Sequence, residues 1–123
     1  MDKISYNFKN RTAVITGGAQ GFGLDIAKRF LNSGAKVIIW DIDPKMVEKS
    51  LNDLNNTNLS SNIVDVSNYQ EVESSVKEIT KNSNIDILIN NAGITGPTAT
   101  LWEYEIEMWK KVVDINLMGT FNC

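Results

Sequence analysis

The chain contains no histidine and a single cysteine, at position 123. Without histidine it lacks the commonest general base and the commonest transition-metal ligand. One thiol excludes an internal disulfide and any thiolate cluster, so no metal site is expected and a reducing cytoplasm is the expected compartment. Long apolar runs are missing too. Val37-Ile38-Ile39-Trp40 is one of the longest, far short of the roughly 20 residues that cross a bilayer. Residues 1–7 lack the apolar core of a signal peptide. There is no excess of basic charge: 12 Lys and Arg against 15 Asp and Glu give a net charge of −3 with the signs interspersed, which argues against nucleic acid as a partner. What is present, 123 residues with 42% hydrophobic and 22% charged side chains, suits one ordinary soluble domain around one core.

The apolar pattern alternates between strand and helix from end to end, with no repeat, low-complexity tract or linker. A strand is expected over residues 12–16. The helix after it places Phe22, Ile26 and Phe30 on one face with Ala27 and Leu31 beside it, and Gly34 ends it. The β-branched run 36–41 reads as a strand buried on both faces. Asp43-Pro44 reads as cap and first residue of a second helix, with Val47, Leu51 and Leu54 as its stripe. A third strand is expected at about 59–64. Ser67 then reads as the cap of a capping box with Gln70 reaching back, opening a helix that packs through Val72, Val76 and Ile79. A fourth strand at 85–90 and a fourth helix from about Glu105, carrying Met108, Trp109, Val112 and Val113, complete the series.

Strands that alternate with helices imply a parallel sheet with right-handed crossovers. The expected class is α/β, a Rossmann-like doubly wound sheet of strand order 3-2-1-4. Its first two helices lie on one face and the next two on the other. The order reverses between strands one and four, so a cleft opens there at the carboxyl ends. Strand four is left as an apolar edge that invites a partner.

Residues 14–23, VITGGAQGFG, form the strongest motif. A strand ending in a glycine-rich turn that opens a helix holds a phosphate, because free N–H groups and a partial positive charge meet there. The spacing is Thr16-Gly17-x-x-x-Gly21-x-Gly23, and Asn90-Asn91-Ala92-Gly93 follows strand four. Together these resemble the TGxxxGxG and NNAG fingerprints of the short-chain dehydrogenase/reductase family. Asp65-Val66 and Asn116 also fall at family positions, and the likeness runs from about strand one to Cys123.

The resemblance implies a dinucleotide cofactor held by Gly17, Gln20, Gly21, Phe22 and Gly23. Asp41, 18 residues after Gly23 and followed by Ile42, can accept from the adenosine ribose hydroxyls and would repel a 2′-phosphate, so NAD is expected over NADP. A plain strand-end carboxylate is the alternative, and Lys45 can reach the same region. By family likeness Asp65 and Val66 flank the adenine, though Asp65 also reads as a helix-entry acid. Asn91, Ala92 and Gly93 would line the cofactor ribose. Asn116, in an apolar helix, needs partners for its amide. In the family its counterpart supports a water-linked proton relay, which makes it the one catalytic candidate; a locally satisfied helix kink is the alternative. Trp102, Trp109 and Met118 read as packing residues, with the fourth helix as a face for a homo-oligomer.

The family's chemistry also needs a serine and a Tyr-x-x-x-Lys. None of the tyrosines, Tyr6, Tyr69 or Tyr104, has a lysine four residues on, and no serine follows Ser83. The chain therefore resembles the cofactor-binding half of an oxidoreductase, a single partial domain over residues 1–123, truncated before its remaining strands and inactive alone. A small alcohol or carbonyl substrate would belong to the completed protein. The alternative is a non-catalytic module that binds a dinucleotide or pairs with another subunit. A methyltransferase is disfavoured, since S-adenosylmethionine carries no pyrophosphate for this turn to hold.

Overall fold

A computed structural model describes residues 4–123; the first three residues of the segment read for a signal peptide lie outside the described residues. Four parallel strands, β1 (Thr12–Thr16), β2 (Lys36–Asp41), β3 (Leu59–Ile63) and β4 (Ile87–Ile89), form one sheet in the order β3-β2-β1-β4. Thr12 pairs with Lys36, Val37 with Leu59, and Ala13 with Ile87. The helices between them are α1 (Gly21–Asn32), α2 (Pro44–Leu54) and α3 (Tyr69–Thr80). After a short turn at Leu101–Glu103 come α4 (Ile106–Val113), a π-helical turn (Asp114–Met118) and α5 (Gly119–Asn122), one run of helix to the chain's end. This is the doubly wound layout that the alternation implies.

The period-two geometry of the strands divides the core. Ile15, Val37 and Ile39 meet Ala27, Leu31 and Val47 of α1 and α2 on one face. Val14, Ile38 and Trp40 meet Val72 and Ile79 of α3 on the other, with Cys123 against them. Strand β2 is buried on both faces from Val37 to Asp41, as a central parallel strand should be. The indole Nε1 of Trp40 is buried there without a hydrogen-bond partner among the described residues. Before β1, Phe8 packs on Phe30 at 5.0 Å and its N–H donates to the Ser33 carbonyl.

Several local expectations are corrected. Phe22 is exposed, not packed, because the core stripe of α1 runs through Gly23, Ala27 and Leu31, one residue step around the helix. The cap of α3 is Asn68, whose Oδ1 accepts from the N–H of Gln70 and Glu71. The reciprocal reach comes from Glu71, not Gln70: its Oε1 accepts from the Asn68 amide. Ser67 instead donates its hydroxyl to Asp65. Trp102 and Trp109 are exposed, so of the two packing settings read for them, core or subunit interface, only the core is corrected; Trp109 stands edge-on to Tyr104 at 5.7 Å. Strand β4 pairs over three residues only. Asp43 caps α2 as read, accepting from Lys45 and Met46.

Ahead of β4, Asp86 fastens the start of the strand to β1. Its carboxylate accepts from the Thr12 N–H at 2.8 Å and from Arg11 at 2.9 Å. Those bonds, the backbone one first, hold its carboxyl below the ordinary value of 3.8. A carboxyl whose folded pKa is lowered stabilises the fold above its unfolded pKa, and that contribution disappears as pH falls through the folded value. Stability should therefore decline below about pH 4, and Asp86→Asn should flatten that limb of the curve. Urea midpoints measured from pH 6 down to pH 2 check this; parallel curves for both proteins would refute it.

Candidate functional site

The carboxyl ends of β1, β2 and β4 open on a cleft of about 310 Å³, placed where the strand order reverses. Such switch points are where open parallel sheets bind ligands. The lining residues include Gly17, Gln20, Asp41, Ile42, Asp65, Val66, Asn91, Ala92 and Gly93, together with Val64, Ile94 and Ile115. Nine of the twelve expected cofactor residues thus meet in one place. Gly21, Phe22, Gly23 and Asn116 stand outside the lining.

The glycine turn is shaped by close contacts. A Cβ on Gly23 would sit 2.2 Å from the Gly17 carbonyl oxygen, so only glycine lets the first turn of α1 close onto the loop that precedes it. Gly21 has φ +53° and open space where a side chain would project. The loop is stitched to β2 by the Gly18 N–H, which donates to the Trp40 carbonyl, and by the Ala19 N–H, which donates to Asp41 Oδ2 at 3.1 Å. Gln20 gives α1 no side-chain cap, and no acidic residue occupies the first turn. The leading N–H groups and the positive end of the helix dipole are left for an anion. A pyrophosphate fits this donor set.

Thr16 and Asn91 lock the two strands that flank the cleft. The Thr16 hydroxyl accepts from the N–H groups of Asn91 (3.0 Å) and Ala92 (2.9 Å) and donates to the Ile89 carbonyl. The Asn91 amide donates to the carbonyls of Thr16 and Gly17, both at 3.0 Å. Asn91 therefore positions the glycine turn through its side chain while its neighbours line the cleft. Thr16 opens the motif that the sequence displays, but nothing in that motif's spacing marks its hydroxyl as a group that joins two strands. Val64 adjoins expected residues, whereas nothing local marks Ile94 or Ile115.

Two carboxylates stand on the β2–β3 side. Asp41 is buried and accepts from Ala19 through one oxygen and from the Asp43 N–H through the other. It is thus more than a strand-end charge: it anchors the glycine turn. Asp65 Oδ1 accepts from the N–H and hydroxyl of Ser67, while the Asp65 N–H donates to Glu71. The role of entry cap belongs to Asn68. Asn116 lies in the π-helical turn but is exposed in this chain. Its amide is satisfied at long range, accepting from the Ile94 N–H and donating to the Ile94 carbonyl, both at 2.9 Å. The helix is π-helical at this point, and the amide is not satisfied locally.

A family model described as short chain dehydrogenase matches residues 11–123. The chain belongs to the short-chain dehydrogenase family. The cofactor of this family is NAD(P). The chain is 33% identical to the 2-dehydro-3-deoxy-L-rhamnonate dehydrogenase (NAD(+)) of Sphingomonas sp. strain SKA58, over 100% of this chain and 49% of that protein. It is 37% identical to the 3-oxoacyl-[acyl-carrier-protein] reductase of Chlamydia muridarum, over 92% and 47%. The solved structure of a short-chain dehydrogenase from Novosphingobium aromaticivorans superimposes with a TM-score of 0.90 at 30% identity, over 94% of this chain and 43% of the other. The chain thus spans about half the length of the curated relatives it matches. No helix of the described residues is long and apolar enough to cross a membrane.

The Thr16 hydroxyl carries two N–H groups that nothing else in the node accepts. Thr16→Val keeps the shape and strands both donors, which should cost about 1–3 kcal/mol for each donor that stays buried; Thr16→Ser should retain most of the stability. Urea unfolding of the three proteins checks the order, and a Val variant as stable as the parent would show that the node is dispensable.

Proposed function

We propose that residues 1–123 form a partial dinucleotide-binding Rossmann domain of an oxidoreductase that transfers hydride between NAD(H) and a carbonyl/alcohol pair. The observation that carries the reading is the convergence of the glycine turn, Asp41, the 65–66 segment and the 91–93 turn on one cleft. Gly17, Gln20, Gly21, Phe22 and Gly23 would receive the pyrophosphate. Asp41 and Ile42 would hold the adenosine ribose, Asp65 and Val66 the adenine, and Asn91, Ala92 and Gly93 the second ribose. When bound, the nicotinamide ring supplies the hydride chemistry.

Asn116, through its clamp on Ile94, is the one residue here proposed to support catalysis, as a member of a proton relay. The serine and the Tyr-x-x-x-Lys that the family uses are not among these residues, so the substrate-side proton chemistry belongs to the whole protein. A reducing, cytoplasmic setting suits the single cysteine. A second reading, a module that pairs through α4 and α5, draws on the exposure of Ile106, Trp109, Leu117 and Phe121, since clustered apolar surface marks an interface.

Asp41 decides the cofactor. On this reading its carboxylate would meet the ribose 2′-substituent, and no arginine stands beside it in sequence, which favours NAD. Removing a charged hydrogen-bond partner costs about 1.5–3 kcal/mol, so Asp41→Asn should weaken NADH by roughly ten- to a hundredfold and narrow its advantage over NADPH. Titration of both nucleotides against parent and variant measures this; tighter binding of NADPH by the parent would overturn the assignment. The purified 123-residue chain should show no alcohol oxidation with NAD, and light scattering should give a mass above the 13.7 kDa of one chain. Turnover, or a strictly monomeric mass, would contradict the corresponding part of the proposal.

A further inference from the structure

Beyond the end of β3 at Ile63, the backbone that walls the cleft is no longer held by a strand ladder. Three separate bonds take over. The Val64 N–H donates to the Asp41 carbonyl at 3.0 Å, the Asp65 N–H donates to Glu71 at 2.8 Å, and the Val66 carbonyl accepts from the Asn122 side-chain amide at 2.8 Å. The first two partners are close in the sheet and in α3. The third comes from the last turn of the chain, 56 residues away.

The same run of helix reaches this wall twice more. Gly119 is buried, and a Cβ added to it would stand 2.7 Å from Val66 Cγ2. Ile115 lines the cleft itself. Through the π-helical turn and α5 the run thus lays an apolar contact, a glycine-sized gap and an amide donor at residues 115, 119 and 122 along the cleft and the 64–66 segment. Val66 is 7% exposed, and its position is therefore set from both sides.

We propose that Asn122 is a positioning residue for the cleft: through the Val66 carbonyl it fixes where Asp65 and Val66 stand, and so tunes affinity for the adenine half of the dinucleotide. This rests on the dinucleotide reading above. The strand order supports the division of labour. Val66 and Asp65 lie on the β3 side of the glycine turn and the 91–93 turn lies on the β4 side, so a ligand draped over the turn presents its two halves to different walls.

The test uses the full-length protein with AMP, nicotinamide mononucleotide and NADH, each titrated by calorimetry. Asn122→Leu removes the donor at similar size, and loss of one hydrogen bond's worth of positioning should weaken AMP and NADH about three- to tenfold. Nicotinamide mononucleotide should be unaffected, and Asn122→Gln should recover part of the AMP affinity. Should Asn122→Leu fail to fold, Asn122→Ala carries the same expectation. Equal loss for AMP and nicotinamide mononucleotide would mean a general structural role, and no loss for either would mean no role; both overturn the inference while leaving dinucleotide binding in place. A parent protein that binds neither AMP nor NADH would overturn the dinucleotide reading and the inference with it.

Discussion

The cleft depends on the hydrogen-bonded node at which Thr16 and Asn91 join the ends of β1 and β4. Parallel neighbours that are distant in sequence share no turn, so nothing in the chain's local chemistry fixes how far apart their ends stand. Here one buried hydroxyl takes two backbone N–H groups and one side-chain amide takes two carbonyls. These bonds set the mouth of the cleft, the path of the glycine turn and the place of Ala92 in one arrangement. Because the hydroxyl is nearly fully buried, water cannot replace it cheaply, which makes the geometry stiff.

Asp41 extends the same logic to the other side. Burial of a carboxylate is costly unless it is paired or hydrogen-bonded, and this one is satisfied by the backbone of the glycine turn and of the β2–α2 loop. A single side chain therefore fixes the turn and, on the proposed reading, selects the cofactor. The turn, the carboxylate and the node form a continuous frame around the cleft.

The helix beyond β4 is held differently. None of the residues of α4 is buried; the run beyond it is tied by side-chain bonds to distant backbone, Asn116 to Ile94 and Asn122 to Val66, and by the packing of Gly119 on Val66 and of Cys123 against the core. The π-helical turn holds the first of these anchors and precedes the second. Swollen turns of this kind often mark functional positions, and here the turn lets successive residues meet both the 94 loop and the 66 segment. The outward apolar side chains of the same run have no layer to cover them within these residues.

Much was legible in the sequence because its causes are local. The continuous β-branched apolar run marked β2 as a strand buried on both faces, helical spacing marked the stripe of α2 and α3, Asp43-Pro44 announced its own helix start, and the glycine spacing marked the turn and, by resemblance, the family. Crossover handedness then constrained the layout, putting the first two helices on one face and the next two on the other once the order 3-2-1-4 was set. Other features needed the fold. Ser67 and Asn68 are both competent caps, each with an acidic or amide residue three positions on; Asn68 holds the position in a fold where Glu71 also accepts from Asp65. Phe22 shares the spacing of a packed residue, but the core stripe lies one step around the helix. The long-range partners of Thr16, Asn116 and Asn122 leave no periodic signal, since a hydrogen bond across more than twenty residues is written only in three dimensions. Sequence determined the elements, their order and the chemistry of the turn; tertiary structure alone decided which polar side chains hold the strand ends together, because their partners are backbone atoms that meet only when the sheet closes.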